Sequence, residues 1–173
     1  MFGRWIVAIA AISFASCAYA QNAPKLTDPQ IAHIAYTAGV IDIDAAKRAV
    51  AKSKNKVVVD FAKDMLRDHE AVNKEALALV KKLNVTPQDN DTSKALAKAG
   101  ADKRAALAKL GGKAFDKAYI DNEVAFHKQV NGALATLLIP SASNAELKDL
   151  LETGLKVFKG HEQHAEHVAA TVK

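Results

Sequence analysis

Cysteine, proline and aromatic residues are scarce in this sequence of 173 residues. It has one cysteine, Cys17, and four prolines, and aromatic side chains make up 6% of the chain. One cysteine excludes a disulfide framework, a cysteine-rich zinc site and an iron–sulfur cluster. The few prolines and glycines argue against a loop-rich fold, and the 50% of hydrophobic residues argues against a disordered chain. We therefore expect one folded domain.

The first twenty residues have the three parts of a secretory signal peptide. Arg4 supplies the positive charge, residues 5–15 form an apolar stretch too short to span a bilayer, and residues 18–20 read Ala-Tyr-Ala, a cleavage site. This predicts a mature domain over residues 21–173, in the periplasm or secreted, without a transmembrane segment. Two alternatives stay open: an uncleaved anchor, and a lipidated Cys17, although the residues before it make a poor lipoprotein box.

The mature chain has helical patterns throughout. Alanine and lysine, which favour helices, are frequent, and β-branched residues do not alternate as they do in strands. Long amphipathic helices are predicted at about 27–52, 55–83, 113–138 and 143–173, and a shorter one at 93–110. We predict an all-α four-helix bundle, with the short helix in the connection between the second and third long helices. The segment 85–112 is long enough to run the length of the bundle, which favours a crossover connection.

End signals refine these boundaries. Asn84 suits the left-handed position that follows a helix. Pro140 is expected to end the third long helix. Ser143 and Glu146 have the spacing of a capping box, which predicts the start of the last helix.

Six histidines are the strongest candidates for chemistry. Three of them, His69, His127 and His161, fall on the predicted apolar stripes of three different helices. At a rise of ~1.5 Å per residue, each lies near the middle of a helix about 40 Å long. Three imidazoles at one depth inside a bundle would suit Cu, Zn or Fe. The alternative is that each is a core residue hydrogen-bonded to a carboxylate or to the backbone.

Four acidic residues lie near these histidines in the pattern: Asp42, Asp68, Glu70 and Glu123. Asp42 interrupts an alanine-rich stripe, where an unpaired charge is costly and needs a partner. A carboxylate can also accept the second ring N–H of a ligand histidine. We predict a metal site of the three histidines, with Asp68 and Asp42 orienting or completing it. The sequence has no Glu-x-x-His pair, which argues against a di-iron carboxylate site.

The segment 94–117 carries seven basic and two acidic residues. It has few aromatic residues for base stacking and belongs to an exported chain, so nucleic-acid binding is not expected. A solvated helix face is the simplest interpretation, and weak attraction to anionic envelope surfaces is the alternative. The sequence has neither a glycine-rich phosphate loop nor a nucleophile elbow, and we predict no catalytic residues.

Several stretches of the sequence resemble the DUF4142 family. They are residues 42–47, residues 58–69 with their Asp-His end, residues 115–120 with His127 after them, and His161. The resemblance covers nearly the whole mature chain and implies a ferritin-like helical bundle exported from the bacterial cytoplasm. It implies no activity, because the family is a domain of unknown function. At position 42 the family tends to have Glu, whereas this chain has Asp42. The side chain of Asp is shorter than that of Glu and reaches less far.

The leading hypothesis is an exported periplasmic helical bundle that binds a transition metal at an interior His/carboxylate site. The alternative is a non-catalytic envelope or stress-related interaction module whose histidines are structural. A metal-dependent oxidase is a third hypothesis. Because ligand histidines must be neutral, stabilisation by metal is expected to fade below about pH 6.

Overall fold

The computed structural model describes residues 25–172, so the predicted signal peptide and Cys17 lie outside the described residues. The long helices are α1 (Asp28–Lys52), α2 (Lys56–Lys82), α3 (Asp91–Ala108), α4 (Gly112–Ala133) and α5 (Ala145–Thr171). A π-helical turn, Leu134–Leu138, and a last turn, Ile139–Ser141, extend α4. The described part of the chain contains no strand, which confirms the all-α class.

Helices α1, α2, α4 and α5 pack side by side. Asp28, at the start of α1, accepts hydrogen bonds from the backbone N–H groups of Ser143 and Asn144, just before α5. Lys82, at the end of α2, forms a salt bridge with Glu146 in the first turn of α5. These contacts bring the start of α1, the end of α2 and the start of α5 to the same end of the molecule.

Helix α3 is the crossover connection. Just before it, the N–H of Gln88 donates to the carbonyl oxygen of Pro29 near the start of α1. At its other end, Lys52 of α1 donates to the carbonyl oxygen of Ala108. The helix therefore lies along α1 from end to end, as the length of segment 85–112 predicted.

The end of α4 differs from the prediction, because Pro140 does not end the helix. In the π-helical turn before it, the N–H of Ile139 donates to the carbonyl oxygen of Leu134, five residues back. Proline lacks an N–H and its ring crowds the carbonyl four residues back. The wider turn makes room for that ring, so the helix continues to Ser141.

The start of α5 also differs. Its N-cap is Asn144, whose side chain accepts a hydrogen bond from the N–H of Leu147, and not Ser143. Asparagine caps helices as well as serine does, so the two residues could not be ranked from sequence. Asn84 takes the predicted left-handed conformation after α2, with φ of 50°.

The core is filled unevenly along the molecule. In the half that contains the starts of α2 and α4, the large side chains of Phe61, Met65, Phe115 and Tyr119 are fully buried. In the other half the helices enclose a cavity of about 650 Å³. The three predicted site histidines lie between the two halves. Within residues 25–172, no helix combines the length and apolarity needed to cross a membrane.

Candidate metal site

One side chain from each of the four long helices reaches a common point near mid-length. They are Asp42 from α1, His69 from α2, His127 from α4 and His161 from α5, and none is more than 6% exposed. The centroids of the three imidazole rings are 5.2 to 5.6 Å apart. Each of these residues occupies an otherwise apolar stripe, so burial of its apolar neighbours carries it inside.

Asp42 faces two of the rings at distances longer than a hydrogen bond. Its Oδ2 lies 3.5 Å from Nε2 of His69 and 3.6 Å from Nε2 of His127. A tetrahedral site with metal–ligand bonds of ~2.1 Å has ligand–ligand distances of ~3.4 Å. One potential ligand atom from each of His69, His127 and His161 lies within 4.8 Å of the others. The spacing of the three histidines therefore fits one metal ion, and Asp42 lies beside two of them.

Hydrogen bonds determine which nitrogen is free in two of the rings. Nδ1 of His127 donates to the carbonyl oxygen of Glu123 at 2.9 Å, and this leaves Nε2 free. Nε2 of His161 lies 3.0 Å from Oδ2 of Asp68, and this leaves Nδ1 free. Both free nitrogens are buried without a hydrogen-bond partner among the described residues. Such an imidazole, with one N–H engaged and one lone pair unused, is oriented as a metal ligand.

His69 is held by stacking and not by hydrogen bonds. Both of its nitrogens are buried without a partner in the described part of the chain. Its ring stacks on Phe158 with centroids 4.5 Å apart and an angle of 4° between the planes. Burial, and then the neighbouring His161, lowers the pKa of His69 to about 3. Burial also lowers the pKa of His127. Both rings are therefore neutral at neutral pH, as metal ligands must be.

Asp42 and Glu123 form a buried carboxyl pair beside the rings, each 1% exposed. Burial raises the pKa of both groups, and the neighbouring Asp42 raises that of Glu123 further. Burial therefore disfavours a second negative charge in this metal-free pair. Asp42, Glu123 and His127 also offer a second group of three ligand atoms within 4.8 Å of one another. Because His127 has only one free nitrogen, it can bind one ion, not one in each group.

The DUF4142 family model, described as a domain of unknown function, matches residues 15–168. The chain belongs to the DUF4142 family. No curated protein matches the DUF4142 chain. Among solved structures it is similar to "CopM in the Cu(II)-bound form", with a TM-score of 0.64 and 17% sequence identity, over 86% of this chain and 100% of that chain. At this identity the likeness shows a shared helical fold.

In the DUF4142 chain, Asp68 lies on the outer side of His161 and not among the ligand atoms. Its side chain is partly exposed and also pairs with Arg67 at 2.7 Å. The hydrogen bond from Arg67 holds the pKa of Asp68 below its usual range, so the group is a carboxylate that can accept the ring N–H of His161. Of the two roles predicted for Asp68, its position fits orienting.

Glu123 was only one of four nearby acidic candidates in the sequence, yet it is more buried than Asp68. Its position four residues before His127 places both side chains on one helix face, and this is the signal that could have ranked it higher. Glu70, another of the candidates, is exposed and pairs with Lys47 at 3.3 Å. Neither of the two groups of possible ligand atoms found among the described residues includes His33, His164 or His167.

Proposed function

We propose that this DUF4142 protein binds one transition-metal ion through Asp42, His69, His127 and His161. The observation that carries the proposal is a set of four buried side chains, one per long helix, whose facing donor atoms have no hydrogen-bond partner among the described residues. Core histidines with a purely structural role are normally satisfied by hydrogen bonds. That expectation favours metal binding over an interaction module with structural histidines.

Copper and zinc are the metals that we propose to test first. Three imidazoles and one carboxylate suit Cu or Zn better than the carboxylate-rich chemistry of di-iron sites. The similarity to CopM, whose structure is of a Cu(II)-bound form, supports copper, although that protein is only 17% identical. Four protein ligands leave no open position of the kind that catalytic zinc sites keep. We therefore propose a protein that holds the ion and does not use it in catalysis.

We further propose that this binding takes place outside the cytoplasm. The support is the sequence of the first twenty residues, with its positive charge, apolar stretch and Ala-Tyr-Ala site. Expression of the full chain in a bacterium, followed by fractionation, tests this: the protein should be recovered from the periplasm or medium with Gln21 as its first residue. Recovery only from the cytoplasm, with Met1 retained, would contradict it.

The metal proposal is tested with protein purified without a histidine tag. The protein is loaded with Cu(II) or Zn(II), desalted and analysed by mass spectrometry for bound metal. We expect about one ion per chain for the wild type, and weaker binding with less retained metal in His161→Ala, because the site has then lost one of its four proposed ligands. His167→Ala, an exposed histidine on the same helix, is the matched control and should bind like the wild type.

Electron paramagnetic resonance of the copper-loaded protein adds a second readout. Hyperfine coupling to three imidazole nitrogens is expected in the wild type, and to fewer in His69→Ala or His127→Ala. Metal stoichiometry near zero with both ions, or equal binding by His161→Ala and the wild type, would refute the proposal.

A further inference from the structure

A large cavity adjoins the proposed metal site. Its volume of about 650 Å³ falls within the range of ~300–1,000 Å³ that is typical of small-molecule sites. His69 and His127 form part of its inner wall. Its lining also includes exposed residues, among them Asp91, Ala95 and Gln129, which mark its opening. Apart from the histidines, the described residues that line the cavity include one acidic side chain, Asp91, and no basic one.

The cavity exists because small residues face an apolar stripe. The small lining residues of α1 and α3 are Ala32, Ala35, Ala38, Gly39, Ala95 and Ala99. Opposite them, Val72, Ala76 and Leu79 of α2 are only half-buried. They continue the stripe that is fully buried nearer the start of the helix. The second half of this apolar face is thus only partly covered by the described residues.

Apart from the two histidines, Asn73 is the one buried polar side chain among the described lining residues. Asn73 lies one helical turn beyond His69, lines the cavity and is only 8% exposed. Gly39 makes room for it, since an added Cβ there would lie 2.2 Å from Oδ1 of Asn73. None of the side-chain hydrogen bonds within residues 25–172 involves its carboxamide, which can therefore bond to a ligand. A hydroxyl or carbonyl group on the ligand would supply that bond.

We propose that this cavity binds a neutral, mainly hydrocarbon small molecule with a single hydroxyl or carbonyl group, which bonds to Asn73. An apolar cavity excludes water and takes up apolar ligands. No lysine or arginine lines it to pair with an acid. The buried carboxyl pair of Asp42 and Glu123 lies beyond the histidine wall, which further disfavours an anion.

The test uses the neutral fluorescent probe N-phenyl-1-naphthylamine and the full protein in the presence of EDTA, so that the result does not depend on the metal. We expect saturable binding of one probe per chain. Ala76→Phe places a ring in the cavity and should weaken binding by about tenfold or more. Ala78→Phe, an exposed position on the same helix outside the lining, is the matched control and should bind like the wild type.

If Ala76→Phe fails to fold, as judged by circular dichroism, Ala35→Phe on α1 fills the same cavity and is interpreted in the same way. Absence of saturable binding by the folded wild type, or equal affinities for the cavity-filling and control variants, would overturn the proposal. So would a wild-type dimer in sedimentation that the cavity-filling variant abolishes, because a second copy would then cover the opening.

The hydrogen-bonding part has its own test. In displacement of the bound probe, 1-decanol should compete more strongly than decane, and Asn73→Leu should remove that difference. Equal competition by the alcohol and the alkane in the wild type would overturn this part. Stronger competition by decanoate than by decanol would overturn the requirement for a neutral ligand.

Discussion

Asp42 has opposite effects on the metal-free and the metal-bound protein. Without metal, Asp42 is buried at distances longer than a hydrogen bond from the rings of His69 and His127, and burial raises its pKa. Asp42→Asn keeps the shape, removes the charge and can donate to a free imidazole nitrogen. We expect the metal-free variant to be more stable than the wild type by about 1–3 kcal/mol, measured by thermal unfolding in EDTA.

The same substitution should weaken metal binding. Loss of a hydrogen-bond partner of a metal ligand typically lowers affinity by ~10- to 100-fold, and we expect at least this effect when a proposed ligand itself is changed. Competition with a chelator of known affinity measures it. Asp44→Asn, an exposed aspartate on the same helix, is the control. Unchanged metal affinity in Asp42→Asn would remove Asp42 from the ligand set.

His69 makes the stability of the metal-free protein depend on pH. Burial lowers its pKa to about 3 in the folded state, whereas an unfolded histidine has a pKa of ~6.5. The unfolded chain therefore takes up a proton that the folded protein does not, and the contribution of His69, present above pH ~6.5, is lost as pH falls. As the pH falls below ~6.5, we expect the free energy of unfolding of the wild type to decrease relative to that of His69→Asn. The expected decrease is about 1.4 kcal/mol per pH unit.

Urea unfolding in EDTA at several pH values between 7 and 5 measures this difference. His167→Asn, at an exposed position, should show the same pH dependence as the wild type. Parallel curves for His69→Asn and the wild type would show that folding does not lower the pKa of His69. The expectation that stabilisation by metal fades below about pH 6 stays a prediction.

The sequence could predict which histidines come together inside the protein, because each interrupts an apolar stripe at the same depth. It could also have separated Asp68 from the proposed ligands. Adjacent helical residues point ~100° apart, so Asp68 cannot face the same centre as its neighbour His69. The free nitrogen of each ring was beyond prediction, because it depends on contacts between helices, such as that of Asp68 with His161.

At the scale of helices, Gly100 allows α3 to lie directly against α1. A Cβ added there would lie within 3.0 Å of three side-chain carbons of Ile41, a branched and stiff residue. We expect Gly100→Ala to destabilise the protein by about 1–3 kcal/mol, despite the better helix propensity of alanine. Chemical denaturation measures the change.

Gly160 is the matched control for this substitution. It is a helical glycine of α5 with no atom within 4 Å of an added Cβ. Gly160→Ala should therefore stabilise the protein by about 0.5–1 kcal/mol. If both variants gain stability, the close approach of α3 to α1 is not tight enough to exclude a methyl group.

Helix ends were the least predictable elements. Proline normally ends a helix, and the sequence before Pro140 gives no sign that a π-helical turn will accommodate it. That turn is formed by Leu134 and Leu138, which are buried against the other helices, so packing and not local preference extends α4.

At the scale of the whole molecule, the proposed ion stabilises all four long helices together. A free metal concentration 100 times the dissociation constant should stabilise the folded state by about 2.7 kcal/mol. EDTA should therefore lower the melting temperature of the loaded wild type and of His167→Ala. It should lower that of His161→Ala by less, and an equal drop in all three proteins would place the stabilising metal elsewhere.

The overall arrangement was more accessible to prediction than the cavity. The length of segment 85–112 indicated a crossover helix, because a chain must cover that distance to return to the far end. The hollow half depends on which alanines of α1 and α3 face which residues of α2, and a single sequence does not specify that register.

The placement of one donor on each long helix has a kinetic consequence. An ion held by a single hairpin is released when two helices part, whereas here bonds to several helices must break. The dwell time of the bound ion would then follow its stepwise release towards the cavity that His69 and His127 line. Exchange of an isotopically labelled ion would be slow even where equilibrium affinity is modest.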